Sequence, residues 1–375
     1  MLTETLTAGA ARAGLVARPS HAARALAFAA VCVLLSGCGT LYVMQAASGE
    51  WHVLRERVPI TRLLADPGTP PQLRARLMQV QAAREFASRD LGLPDNHSYR
   101  SYADIGRPYV VWNVVAAPEF SVTPKHWCFP VAGCVAYRGY FREQRARDFA
   151  NALAVQGYDV TVDGVPAYST LGRFADPVLS SMLRYGDEEL AATIFHELAH
   201  QLLYVRDDSE FNEAFATTVE DVGLERWLVH QGEAQRGQTF RREQASEREL
   251  VQLLSQTRAR LAQLYASAAP LAEMRAQKAA MLNELGTQIR ALEKRSAVLY
   301  PLYDEWISTG LNNARLASVA TYYDCVPGFM RLLQEAGDDL PRFYAAAREL
   351  ARAPRAARHA RLCETPPEPA ARRSD

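Results

Sequence analysis

The stretch from Thr193 to Gln201 constrains this chain more than any other. It sets His196 and His200 four residues apart, with Glu197 between them. On a helix, residues at i and i+4 lie one above the other on the same face, so the two imidazoles point the same way. Neutral imidazoles at that spacing can grip one Zn²⁺, and the intervening carboxylate reaches the water in the metal's open position. The surroundings call for a helix. Asp187, Glu188 and Glu189 form an acidic first turn, which suits a helix N-terminus. Leu190, Ala191, Ile194, Phe195, Leu198, Leu202 and Leu203 then make the segment apolar nearly all round, the pattern of a buried helix. His196, Glu197 and His200 therefore belong in a core, where an unsatisfied polar group is costly. Two core histidines bonded to backbone are the structural alternative; a metal accounts for Glu197 as well.

A third ligand follows promptly. Asp207-Asp208-Ser209-Glu210 reads as a turn and helix start, with Asp207 and Glu210 spaced as a capping box. The segment from Phe211 to Glu220 continues as a helix, and Glu213 and Glu220, two turns apart, share a face. Glu213 is the expected third metal ligand. Glu220 is expected behind it, accepting the N–H of a ligand imidazole and so orienting the ring.

These residues carry a resemblance. His196-Glu-Leu-Ala-His-Gln201 followed by Asn212-Glu-Ala-Phe-Ala216 and Glu220 resembles the gluzincin metallopeptidases, whose one zinc is held by two histidines and a glutamate. The Asn-Glu-(small)-Phe-Ala run is especially similar to that of the zinc aminopeptidases. One departure is the spacing, since only twelve residues separate His200 from Glu213, fewer than in the thermolysin and classical aminopeptidase groups. A wider stretch, from about Tyr109 to Tyr344, resembles a bacterial family of predicted lipoprotein aminopeptidases. Its pieces are Trp127–Cys134, Tyr137–Tyr140, Gly164–Gly172, Tyr204–Asp208, and Asn312–Arg315 leading to Tyr322 and Tyr323. The resemblance implies a peptidase with a zincin-like core.

The first residues read as an address. Arg12, Arg18 and Arg24 precede an apolar run from Ala25 to Leu35, too short to span a bilayer and fitting a secretory signal. Leu35-Ser36-Gly37-Cys38 has the form of a bacterial lipobox, with Cys38 as the lipidated residue. The expectation is a signal over residues 1–37 and a body anchored in the cell envelope by lipid alone. Gly39 after the cysteine favours the outer membrane, facing the periplasm. Cys128, Cys134, Cys325 and Cys363 then remain, an even number with three connectivities. Cys128 and Cys134 flank a turn-rich segment suited to a short bridge in an oxidising compartment; Cys325 with Cys363 follows only by elimination.

The expected fold is α+β and predominantly helical, with a small mixed or antiparallel sheet and a long antiparallel helical hairpin inserted. Residues 38–105 read as an N-terminal helical segment and 106–223 as the catalytic core. Residues 224–299 form the hairpin, 300–350 are helices completing the core, and 351–375 are a tail. Within the core, Tyr109–Val115, Val131–Tyr137 and Tyr158–Val162 read as strands, and Arg142–Gln156 as a helix. Gly164–Gly172 is an edge-strand candidate, because Pro166 bars a central place. In the hairpin, Leu250, Leu254, Leu261 and Leu264 precede a break at Pro270, and Met274, Met281, Leu285, Ile289 and Leu292 follow at near-heptad spacing. The hairpin offers a surface for a protein partner or a gate. The formal net charge is zero, so nothing argues for nucleic acid.

The remaining candidates are less specific. Tyr322 and Tyr323 are the two candidates for a single donor to the oxyanion of a tetrahedral intermediate. Tyr168, Ser169 and Thr170 either bind substrate backbone along the edge strand or belong to a structural loop. Asn312, Asn313 and Arg315 either meet substrate termini or cap and brace helices. An aminopeptidase also needs an acidic anchor for the free α-amino group, and Glu119 is the candidate, with a surface carboxylate as the alternative. The functional expectation is a zinc peptidase acting on peptides, in the order aminopeptidase, then endopeptidase or oligopeptidase. The rival from another class is a lipid-anchored interaction protein with a structural or vestigial zinc site. Glu197 argues against that rival, because it has no structural task if the ligands are His196, His200 and Glu213.

Overall fold

A computed structural model describes residues 38–129, 133–296, 306–308 and 310–363. The expected signal over 1–37, and the last part of the expected tail, lie outside the described residues, as does the side chain of Cys38. The chain divides into two compact units, Met1–Ser48 and Gly49–Asp375. Of the first, only residues 38–48 are described, as the opening of helix α1 (Cys38–Glu56). Among the described residues no helix is long and apolar enough to cross a membrane.

The second unit is α+β and mostly helical. Strand β1 (Val58–Pro59), helices α2 (Ile60–Ala65) and α3 (Pro71–Arg89) and strand β2 (Ser101–Ala103) come first. Strands β3 (Val111–Pro118), β4 (Trp127–Phe129), β5 (Gly133–Val135) and β6 (Arg138–Tyr140) follow, then α4 (Glu143–Val155), β7 (Tyr158–Val165) and β8 (Val178–Leu179). The rest is helical: α5 (Asp187–Leu202), α6 (Ser209–His230), α7 (Ala234–Tyr265), α8 (Leu271–Arg295), α9 (Asn313–Tyr323), α10 (Val326–Glu335), α11 (Leu340–Arg352) and α12 (Arg355–Leu362). One antiparallel sheet has the order β6-β3-β7, with Trp112 opposite both Tyr140 and Gly164. A second, β1-β2-β8, is mixed, because β2 pairs antiparallel with β1 and parallel with β8. The hairpin β4-β5 sets Cys128 directly opposite Cys134, and a disulfide joins them.

Three expectations change. Residues 49–105 form no separate segment: Leu77, Val80 and Phe86 of α3 share one core with Phe195 of α5 and Trp227 of α6. The edge strand stops at Val165, because Pro166 lacks an N–H and the next residues turn to bond Asp176 instead. The segment after 351 is not a tail up to Cys363. It forms α12, closed onto α10 by a Cys325–Cys363 disulfide.

The hairpin of α7 and α8 turns where Pro270 predicts, with Pro270 as the residue before α8. Its buried leucines pack on each other and on Leu316 and Val319 of α9. Polar pins fix it further: Arg275 grips Glu119, and Lys278 reaches Asp159 at 2.7 Å.

Close approach of α5 and α6 needs Gly223. A Cβ there would stand 2.9 Å from side-chain atoms of both Leu91 and Phe195. That contact sits one residue from His196, so the absent methyl helps to bring α6 against the motif face of α5.

Candidate active site

The local sequence builds the site in two steps. Helix α5 starts with its three acids, Asp187 pairing with Arg76 and Glu188 with Arg236 at 2.5 Å, and buries Leu190, Ile194, Phe195, Leu198 and Ala199. The chain then reverses between Leu203 and Asp208. Asn212 clamps that turn, accepting from Val205 N–H at 2.7 Å and donating to Val205 C=O at 2.8 Å. The cap of α6 is Asp208, accepting from Phe211 N–H at 3.3 Å. The Asp207 expected to cap is instead held at φ +65° and accepts the Cys134 N–H at 2.6 Å. With the turn closed, Glu213 faces the histidines.

The donor atoms converge. His196 Nε2 and His200 Nε2 lie 3.1 Å apart, and each is 3.4 Å from Glu213 Oε2. His196 Nδ1 is 2.9 Å from Glu220 Oε2, which favours the tautomer whose Nε2 lone pair faces the other two donors. His200 Nδ1 is buried without a hydrogen-bond partner among the described residues. Glu197, His200 and Glu213 are buried, and no Lys or Arg pairs with Glu197, Glu213 or Glu220 among the described residues. This group could hold one metal ion.

Electrostatics divides the two acids. Burial pushes the Glu197 carboxyl up, and the neighbouring His196 and His200 only partly offset it. Burial also acts to raise Glu213, but the His200 charge and hydrogen bonds to both histidines outweigh it and hold the carboxyl at about 2. The two neighbouring acids are thus set apart, one carboxyl held low and the other raised.

The two tyrosines separate. The Tyr322 hydroxyl titrates well above its ordinary range, held there first by the Glu213 charge and then by burial, with Glu197 also in its field. Tyr323 turns away and donates to Glu247 at 2.6 Å. Beside Tyr322 opens a cavity of about 820 Å³, whose lining includes Trp112, Tyr137, Glu247, Trp306 and Arg315. The motif residues do not line it; Tyr322 is its link to them.

Other expected residues are engaged elsewhere. Glu119 is half of a two-bond pair with Arg275, at 2.6 and 2.9 Å, which lowers its carboxyl and uses both oxygens. Asn312 caps α9 and donates to Val160 C=O at 3.1 Å. Asn313 ties α9 to the Pro118 and Glu119 carbonyls and to Tyr265. Arg315 pairs with Asp163 at 2.6 Å under Trp306. Tyr168 donates to Glu50, and Ser169 and Thr170 turn to Asp176. Asp176 and Tyr99, which border the motif helix through Gln201 and Glu197, are marked by no spacing in the sequence.

No curated protein and no solved structure gives a significant match to the chain. The sequence model of the family described as "Putative aminopeptidase" matches residues 41–362. The match covers most of the length and includes the convergent His196, His200 and Glu213, so the chain belongs to the putative aminopeptidase family.

Proposed function

We propose that the chain is a zinc-dependent peptidase that releases residues from the free amino end of peptides. His196, His200 and Glu213 would hold the metal, and Glu197 is the general base. The observation that carries this reading is the triangle of donors at 3.1, 3.4 and 3.4 Å, with no Lys or Arg among the described residues to balance it. Donors bonded at about 2.0–2.1 Å around a tetrahedral centre stand roughly 3.3–3.4 Å apart. The spacing fits zinc. On this reading α5 and α6 are the paired helices of a zincin-like core.

When bound, zinc supplies Lewis acidity, making water nucleophilic near neutral pH. The protein's own groups do the rest. Glu197, buried and with its carboxyl raised, accepts the proton of the attacking water and passes it to the leaving amine. Glu220 holds the His196 ring in orientation through Nδ1. Tyr322, in the field of Glu213 and Glu197, is the donor for the carbonyl oxygen as it gains charge. Residues 1–37 serve as the signal and lipid on Cys38 tethers the protein to the envelope, so Cys38→Ala should abolish the lipid mass increment.

The test is metal content and a cleavage profile on one preparation of the full-length chain. Stoichiometric zinc and stepwise loss of N-terminal residues from a peptide library are expected. A protein grown with added zinc that carries none by elemental analysis sinks the assignment.

A further inference from the structure

We propose that Glu50, Asp176 and the Tyr99 hydroxyl form the subsite that receives the free α-ammonium group of the peptide. This deepens the peptidase reading and rests on it. An enzyme that reads a free amino end needs buried negative charge placed for an ammonium, and Glu119 cannot supply it because both its oxygens serve Arg275.

The structure puts such charge beside α5. Glu197 and Gln201 are four residues apart and share a face of that helix. Gln201 Nε2 donates to Asp176 Oδ2 at 3.3 Å, while its own oxygen accepts from Asn96 at 2.7 Å. Asp176 is therefore fixed next to the face that carries the general base. It is 3% exposed, takes the Thr170 hydroxyl at 2.6 Å and the Thr170 N–H at 3.1 Å, and pairs with no Lys or Arg among the described residues. Glu50 approaches from α1. Its Oε2 accepts the Tyr168 hydroxyl, and its Oε1 is buried with no hydrogen-bond partner among the described residues.

Tyr99 is the independent observation. It is 1% exposed, and its hydroxyl meets no hydrogen-bond partner among the described residues. Ser169 stands beside it without a geometry that closes a bond, and its strongest charged neighbours are Glu197 and Asp176. The backbone aims the ring: Tyr99 sits at φ +62° and donates its N–H to the Asp176 carbonyl at 2.6 Å. Burial pushes both the Glu50 and the Asp176 carboxyls up, and Tyr168 and Arg57 at Glu50 and the Thr170 and Ser169 hydrogen bonds at Asp176 only partly offset it. A primary ammonium brings one positive charge and three N–H donors. The open Glu50 oxygen, Asp176 and the Tyr99 oxygen are matching acceptors. An N-acetylated end brings a single N–H and no charge.

The experiment uses the full-length chain. Leucinamide and N-acetyl-leucinamide are titrated calorimetrically into protein treated with a chelator, for wild type, Glu50→Gln and Tyr99→Phe, with unfolding midpoints as a folding check. Separately, matched peptides with free and acetylated amino ends are assayed on the zinc-loaded chain. Leucinamide should bind at least about tenfold more tightly than its acetylated form. Glu50→Gln should remove that preference, and Tyr99→Phe should weaken it severalfold. In turnover the loss should appear mainly as a raised KM for free-amine peptides. Equal binding of the two amides overturns the subsite and leaves the peptidase reading standing, whereas equal kcat/KM for the two peptide classes overturns the requirement for a free amino end together with the subsite. Selective leucinamide binding by a wild type that cleaves no peptide does the reverse. The wild-type comparison needs no variant, so a folding defect in Glu50→Gln does not protect the proposal.

Discussion

Among the described residues two groups gather histidine and carboxylate donors within 4.8 Å, and they behave oppositely. One is His196, His200 and Glu213; the other is Asp208, Glu210 and His359. In the second, Arg358 donates to Asp208 through Nε at 2.9 Å and Nη2 at 2.7 Å, His359 adds a contact at 2.7 Å, and Arg355 meets Glu210 at 3.1 Å. Burial would raise the Asp208 carboxyl, but His359 and Arg358 outweigh it and hold it below its ordinary value. Protein cations complete that group. The first has none among the described residues, and its imidazole nitrogens face each other across 3.1 Å. Donor count alone does not mark a metal site; what matters is whether fixed cations already balance the donors.

The comparison breaks first on catalysis. Glu197→Gln should cost about 10²–10⁴ in kcat while zinc stays bound, because the water loses its proton acceptor. His196→Ala or His200→Ala should abolish zinc binding, and Glu213→Gln should weaken it. Zinc titration with peptide cleavage followed by mass spectrometry checks all four. Wild-type turnover in Glu197→Gln defeats the mechanism whatever the metal content.

On the other side of the comparison, Arg358→Leu strands a buried Asp208. It should destabilise the fold by about 3–5 kcal/mol, read in denaturant, without changing zinc content. A drop in zinc at unchanged stability would erase the distinction between the two groups.

The Cys325–Cys363 bridge holds α12, and with it Arg358, in place. It closes a separation of 38 residues against 6 for Cys128–Cys134. Chain-entropy reasoning gives about 4 kcal/mol for the longer loop and about 2 for the shorter. Unfolding of Cys363→Ala and Cys134→Ala should follow that order.

The smallest effect is on acid stability. Asp208 has a folded pKa below its ordinary 3.8, so its contribution is fully present above 3.8 and is lost as pH falls through the lowered folded value. Asp208→Asn should flatten the acid limb of the stability profile. An unchanged limb would mean that other carboxylates set it.

Helix α5, with its histidines on one face, was legible because side-chain direction on a helix is a local property of four residues. Glu213 on the face it shares with Glu220, the break before α8, and the strand over Tyr158–Val162 follow from the same short-range geometry. The cap at Asp208 was misread by one residue, since a contact from Cys134, 73 positions away, takes Asp207 out of the helix start.

What only the tertiary structure decided depends on partners far apart in the chain. Arg275 comes from 156 positions away to occupy Glu119, and Arg358 from 150 to fill the Asp208 group. Tyr322 and Tyr323 are adjacent and alike in sequence, yet Glu213 lies in the field of one and Glu247 holds the other. Glu50 and Asp176 carry no motif, and they share a setting only because Tyr168 and the Thr170 turn join distant segments. Local pattern fixes which way a side chain points; long-range packing decides what it meets.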